Sequence, residues 1–197
     1  MKAAIHFIIG VMAFSCGGKS LAAGSCGTYP KAVYEKTMSA GWSDCDLKKI
    51  GEQPLWEKLP SGHTTILRFV FTEGHGSFFR FVTISEHPDG TGQLKVGGGD
   101  RGKRARIFRR STLSSDQIST LNSLGSQSDA WKFDVGSWDG DEIYMHCQFL
   151  EMEKADAEGY RYSSINIGCN HPGKLMPFVN EVVRLSGLKS ENGRLFY

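Results

Sequence analysis

After residues 1–23 the chain has no apolar run approaching the ~18 residues of a membrane-crossing helix. It has no Cys-x-x-Cys and no Gly-x-Ser-x-Gly. The first absence argues against the common zinc and thiol-redox modules, the second against the usual hydrolase nucleophile elbow. No internal repeat and no low-complexity segment is present. An excess of one charge is missing too: 23 Lys and Arg stand against 21 Asp and Glu. A chain this balanced has no global field to steer it to nucleic acid, so attraction to an anionic partner has to be local. Hydrophobic residues at 40% and charged residues at 22% are ordinary for one packed domain.

Residues 1–23 read as a signal peptide. Lys2 supplies a positive start, residues 3–14 an apolar stretch, and Ser20-Leu21-Ala22 small residues where a signal peptidase cuts. This leader carries two of the basic residues, Lys2 and Lys19, and no acid. Its removal leaves a formally neutral domain, residues 24–197. The expected location is periplasmic or secreted, without cytosolic nucleotides and without nucleic acid as a partner. A second reading of the leader is a lipoprotein site at Ala13-Phe14-Ser15-Cys16-Gly17, with Cys16 as the anchor and Ala13 where leucine is usual.

Both readings leave four cysteines: Cys26, Cys45, Cys147 and Cys169. An even count in an exported chain predicts two disulfides. Three connectivities are possible. Cys26–Cys45 and Cys147–Cys169 are favoured, because each closes a short local loop.

The first strand signals are residues 64–72 and 78–85, rich in Phe, Ile and Val, joined by a glycine-containing link. A hairpin symmetric about His75 sets Phe69 opposite Phe81 and Phe71 opposite Phe79, with Leu67 and Thr83 on the same core face. Its other face, with Arg68, Arg80, Ile66, Val70, Val82 and Ile84, is then only partly covered. Pro88-Asp89-Gly90 is a turn. It leads to a strand at 93–96, a glycine loop at 97–102 and a strand at 103–110. Ser114 to Gln117 forms a capping box ahead of Ile118, Leu121 and Leu124 at helical spacing. Trp131-Lys132-Phe133 is a short extended piece. Strands at 142–152 and 160–169 follow, the first alternating Ile143, Met145, Cys147 and Phe149 with polar neighbours. An amphipathic helix at 174–185 holds Pro177 in its first turn and stops at Gly187. A short helix at 31–38 lies in the otherwise irregular N-terminal part. The order predicts an α+β domain: an antiparallel meandering sheet of about six strands with two helices on one face.

The glycine-rich loop Gly97 to Lys103, the helix start Leu113-Ser114, and Asp139-Gly140 before a strand bearing Glu151 form a pattern. The Gly159-Tyr160 turn and Leu185-Ser186-Gly187-Leu188 complete it. In these features residues 64–188 resemble a group of bacterial exported proteins of no known activity. A Trp-rich end to the last strand, usual in that group, is missing. The resemblance implies the architecture and no activity.

Gly97 to Lys103 matches most of a phosphate-binding loop, but Arg104 stands where a magnesium-binding hydroxyl is needed and a strand follows instead of a helix. The stretch from Arg101 to Arg110 is the stronger handle. It holds Arg101, Lys103, Arg104, Arg106, Arg109 and Arg110, bordered by Asp100 alone. On a regular strand Ala105 and Ile107 face inward, and Arg104, Arg106, Phe108 and Arg110 form one cationic stripe. Arginine forks recognise carboxylates and phosphates, so the expected partner is an acidic protein surface, a lipopolysaccharide phosphate or another acidic glycan of the envelope. The alternative is a solvated strand neutralised by Glu151, Glu153, Asp156 and Glu158. His63 and His87 fall opposite each other at the open end of the hairpin, with His75 at its tip and no third ligand. His146 and His171, each near a cysteine, read as structural. His75 with Ser77 lacks an orienting acid fixed by structure. Asp139, Asp141 and Glu142 are the candidate acids for glycan hydrolysis, and their loop is too short to bind calcium. No metal or cofactor is implied. The sequence favours a non-enzymatic exported binding protein, with an inhibitor or immunity protein for an exported toxin or hydrolase as one form of that reading. A small glycan- or peptidoglycan-acting hydrolase and a structural envelope component are the alternatives.

Overall fold

A computed structural model describes residues 26–37, 40–73, 78–100, 103–140, 142, 144, 146–191 and 194–196. The predicted leader, with Cys16, lies outside the described residues, as do His75, Ser77, Arg101 and Asp141. Two helices open the described chain, α1 (Lys31–Lys36) and α2 (Ala40–Lys49). Four strands follow: β1 (Thr65–Glu73), β2 (Phe78–Glu86), β3 (Gly92–Asp100) and β4 (Arg106–Leu113). Then come α3 (Ser115–Gln127), β5 (Val135–Ser137), β6 (Gln148–Asp156), β7 (Gly159–Ile165) and α4 (Met176–Ser186). A small terminal pair, β8 (Lys189–Glu191) and β9 (Arg194–Phe196), closes it.

The fold is α+β, with a main sheet of seven strands in the order β4-β3-β2-β1-β6-β7-β5, where the sequence predicts about six. All pairs are antiparallel except β5, which runs parallel to β7. The seventh strand, β5, begins beyond the predicted extended piece at 131–133. Both disulfides join the favoured partners, Cys26–Cys45 and Cys147–Cys169. No helix among the described residues is long and apolar enough to cross a membrane.

The helices do not all lie on one face. α3 and α4 pack Ile118, Leu121, Phe178, Val179, Val182 and Leu185 onto Phe69, Phe71, Val82, Ile84, Leu94 and Met152. The opposite face carries Val70, Phe79, Phe81 and Tyr162, and is covered by Tyr29, Val33 of α1 and Leu47 of α2. The cause is register. Phe69 faces Val82 and Phe71 faces Arg80, one residue away from a hairpin centred on His75. A slip of one residue sends every side chain of a strand to the other side. Phe79 and Phe81 therefore leave the α3–α4 face and need a second cover, which the disulfide-clamped N-terminal segment provides.

The glycines at 97–99 are strand, not loop. They pair with Phe81, Arg80 and Phe79 in β2. A Cβ on Gly97 would overlap the Phe81 ring, and one on Gly98 the Phe79 carbonyl. Missing side chains on β3 let the large rings of β2 lie across it. The local signals hold elsewhere. Ser114 Oγ accepts from Gln117 N at 3.3 Å while Gln117 Oε1 accepts from Ser114 N at 2.9 Å, a complete capping box. Gly187 ends α4 at φ 73°, which glycine adopts without steric cost.

Gly97→Ala is expected to cost about 1–3 kcal/mol through overpacking and to lower the melting temperature by several degrees. Gly173→Ala, with no atom near its added carbon, is the matched control. Equal melting of the two variants would remove the Phe81 contact as the reason for the glycine.

Candidate functional site

The face under the N-terminal segment holds a buried charge cluster. Arg68, at the middle of β1, is 0% exposed, and Glu151 and Glu153 of β6 are 0% and 1% exposed. Arg68 stands opposite Glu153 and Val70 opposite Glu151, so both acids share the face of Arg68. Arg68 Nε donates to Glu153 Oε2 at 2.5 Å, and its Nη1 lies 3.5 Å from Glu52 Oε2 and donates to the Gln53 carbonyl at 2.9 Å. Tyr160 donates to Glu153 Oε1 at 2.9 Å, and Tyr29 to Glu151 Oε2 at 2.7 Å. Glu52, from the loop after α2, also accepts from Thr83 at 3.0 Å and pairs with Lys95. Burial alone would weaken the charge on Arg68, but Glu153, Tyr29 and Glu52 outweigh it and hold the guanidinium protonated more firmly than usual. Burial, then Glu151, raises the Tyr29 hydroxyl well above the ordinary tyrosine range, so it stays a donor.

This cluster has carboxylates in numbers that invite an acid–base reading. Arg68 and the three carboxylates are closed to solvent, and each carboxylate touches the side chain that anchors it. It acts as the bond between sheet and N-terminal cover. Asp44 organises that cover from within. Its carboxylate accepts from Cys26 N, Thr28 N and the Tyr34 hydroxyl. Burial would raise its pKa, but these hydrogen bonds win and hold it below the ordinary 3.8. One group of three metal-ligand side chains occurs among the described residues, Cys26, Asp44 and Cys45. Its two cysteines are joined to each other as a disulfide, which leaves no thiolate for a metal.

The arginine run lies at the other end of the sheet, and the four residues Arg104, Arg106, Phe108 and Arg110 do not form one stripe. β4 begins at Arg106, and its register against β3 shifts: Val96 faces Arg109, but Gly97 faces Ile107. Phe108 is the extra residue of a β-bulge, which re-aims the side chains around it. Arg104, Arg106 and Phe108 line a cavity of about 380 Å³ with Arg80, Asp100 and Lys103. Arg110 sits opposite Lys95 on the other face. There it lines a second open cavity of about 430 Å³ with Thr83, Lys95 and Thr112.

The first cavity is strongly cationic. Its floor is Arg80, 6% exposed, which donates to the carbonyls of Phe79 and Gly99 at 2.9 and 3.0 Å and to Asp100 at 2.7 Å. The Arg80 guanidinium lies 5.6 Å from the centre of the Phe108 ring, and that of Arg106 also lies 5.6 Å from it. One ring thus carries two cations. Asp100 is the only acid in the lining, and it already pairs with Arg80 and, at 3.9 Å, with Lys103. The acids that could have neutralised this run are used elsewhere: Glu153 on Arg68, Glu151 on Tyr29, Asp156 on Lys154 and Glu158 on Arg161. No ion pair to Arg104, Arg106, Arg109 or Arg110 occurs among the described residues. Such a lining offers the positive charge and the guanidinium forks that can receive an anion.

Other candidates assemble less. His63 and His87 stand with ring centres 5.0 Å apart. Burial, and then the neighbouring His87, lowers the pKa of His63. No third ligand joins them among the described residues. Asp139 braces the segment around Cys169, accepting from Asn166 N and from Asn170 Nδ2 at 3.1 Å. Glu142 accepts from the Tyr144 hydroxyl. Arg80, Lys95 and Glu52 were missed as members of these sites by sequence reasoning. Arg80 carried a signal, since a lone arginine in a Phe-rich strand has to find ring faces and carbonyls. No family model matches the chain, and no curated protein matches it.

Arg68→Met leaves Glu153 buried beside no cation, and is expected to cost about 3–5 kcal/mol in urea unfolding. Arg68→Met with Glu153→Leu should recover much of that loss; no recovery would mean that Glu52 or the Gln53 carbonyl, not Glu153, is the partner that matters. Asp44 has its pKa lowered in the fold. Its contribution is therefore full above the ordinary 3.8 and is lost as pH falls through that value toward the folded one. The stability gap between the wild type and Asp44→Asn should be widest at neutral pH and shrink below about pH 4. A gap that does not change with pH would show that Asp44 acts as a neutral acceptor.

Proposed function

We propose that the chain is an exported, non-enzymatic binding protein whose partner presents carboxylates or phosphates to the β3–β4 end of the sheet. The observation that carries this reading is the cavity lined by Arg80, Lys103, Arg104 and Arg106 against a single, already paired, acid. A solvated charge run needs no floor. Here a buried arginine and an aromatic ring form one, and Arg104 and Arg106 make no ion pair among the described residues. An arginine held on a ring loses less freedom on binding than one waving in water.

The two disulfides suit an oxidising compartment. Together with the leader they support a periplasmic or secreted home, where an acidic envelope protein or glycan is available. Inhibition of, or immunity to, an exported toxin or hydrolase is the kind of task that needs such a surface and no catalytic group. The hydrolase alternative loses Asp139, both of whose carboxylate oxygens already accept hydrogen bonds.

The test is a crosslinking capture from an envelope extract of the host, with oxidised protein as bait. The wild type should retain one dominant partner. Arg104→Glu with Arg106→Glu, once its melting is checked to match the wild type, should lose it at least tenfold. Retention by the charge-reversed bait would remove the cavity from the account, and capture of no partner would remove the binding reading.

A further inference from the structure

β4 is an end strand of the seven-stranded sheet. One row of its backbone N–H and C=O groups pairs with β3. The other row has no backbone partner among the described residues. Such an edge is a template for another extended chain. It is also flanked on both faces by cation-bearing cavities: Arg104 and Arg106 on the α3–α4 side, Arg110 with Lys95 on the other. A chain laid along β4 would direct successive side chains alternately to these two faces. Arg106 stands opposite Gly98 and Arg110 opposite Lys95, roughly 10 Å apart along the strand, so a segment of a few residues reaches both.

The charge on the edge selects the occupant. Two β4 edges brought together would set arginines against arginines, so a second copy of this chain is disfavoured. A lysine-rich or neutral strand gains nothing from the cavities. A glycan or polyphosphate could use the cations but would leave the row of backbone groups empty. We propose that the partner supplies an extended acidic peptide segment, which adds to β4 as a further strand and sends one carboxylate into each cavity. This rests on the reading that the cationic end binds a partner, and it names how that partner is held: main-chain hydrogen bonds give the affinity, and the two cavities give the specificity.

The test uses a probe peptide of roughly ten residues, made of valine, threonine and glutamate with glutamates on both faces of the strand. A control keeps the glutamates at the same positions and replaces the other residues by proline, which removes the ladder donors without altering the charge. Binding is followed by fluorescence anisotropy, and the complex by amide hydrogen exchange. The probe should bind at least tenfold more tightly than the proline control and should slow exchange of amides within residues 106–113. Arg104→Glu with Arg106→Glu should weaken it. Equal binding of probe and control, or binding without protection of β4, would overturn strand addition while leaving the cationic site intact. Failure of the probe, with the envelope partner still captured through Arg104 and Arg106, would also overturn it alone. Failure of both would overturn the binding reading as well.

Discussion

Arg68 occupies the middle of the central strand and exposes no surface, so its charge has to be met inside the fold. Glu153 meets it from the neighbouring strand, and Glu52 from the loop after α2. The first contact ties β1 to β6. The second ties the sheet to a segment that has few apolar anchors of its own, mainly Tyr29, Val33 and Leu47. Glu52 is itself held by Thr83 of β2 and Lys95 of β3. One guanidinium and one carboxylate thus connect three adjacent strands and the cover above them. A buried ion pair is a weak source of net stability, because desolvation offsets much of the attraction. What it enforces is position: a β1 slipped by one residue would carry Arg68 to the α3–α4 face, where Phe178, Val179 and Val182 offer no counter-charge.

The same cluster shapes the surface. The whole chain carries a formal charge of only +2, which reads as electrically bland. The balance is not local. Three acids, Glu52, Glu151 and Glu153, are buried beneath the N-terminal cover. Arginines 104, 106 and 110 are exposed at the far strand. Acids placed inside the fold cannot screen cations on its edge, and so a neutral composition yields a strongly cationic end. The bulge at Phe108 then divides those cations between two faces instead of lining them up on one.

Signals read over a few residues were legible in the sequence. The capping box at Ser114, the stop at Gly187, the hairpin joining β1 to β2 and the disulfide partners all follow from local chemistry. Register and layering did not, because they are decided by what lies across the strand. The runs Leu67 to Phe71 and Phe78 to Val82 are apolar on both alternations, apart from Arg68 and Arg80. A near-continuous run of that kind marks a strand buried on both faces, and this was the available sign of a second cover. The glycines at 97–99 read as a loop because glycine usually breaks strands. Here the controlling fact was the size of Phe79 and Phe81 on the neighbouring strand, which no window of β3 contains. The stripe from Arg104 to Arg110 assumed a regular period of two, and the bulge removed that assumption.

Arginine on an end strand has two physical uses, and they are compatible. Charge on an open edge keeps copies of one protein from joining sheet to sheet. For that purpose any solvated cation would serve, and lysine is the common choice. β4 instead uses arginine throughout, seats Arg106 over Phe108, and places the same ring against Arg80 beneath it. A ring between two like charges is a costly way to repel. It is a sensible way to hold a fork at a fixed place before an anion arrives, since the guanidinium is kept beside the ring, 5.6 Å from its centre, with its donors at the rim. Rejection of self and reception of an acidic partner are then one property of the strand: the charge that makes two β4 edges incompatible is the charge that a carboxylate-bearing segment would neutralise.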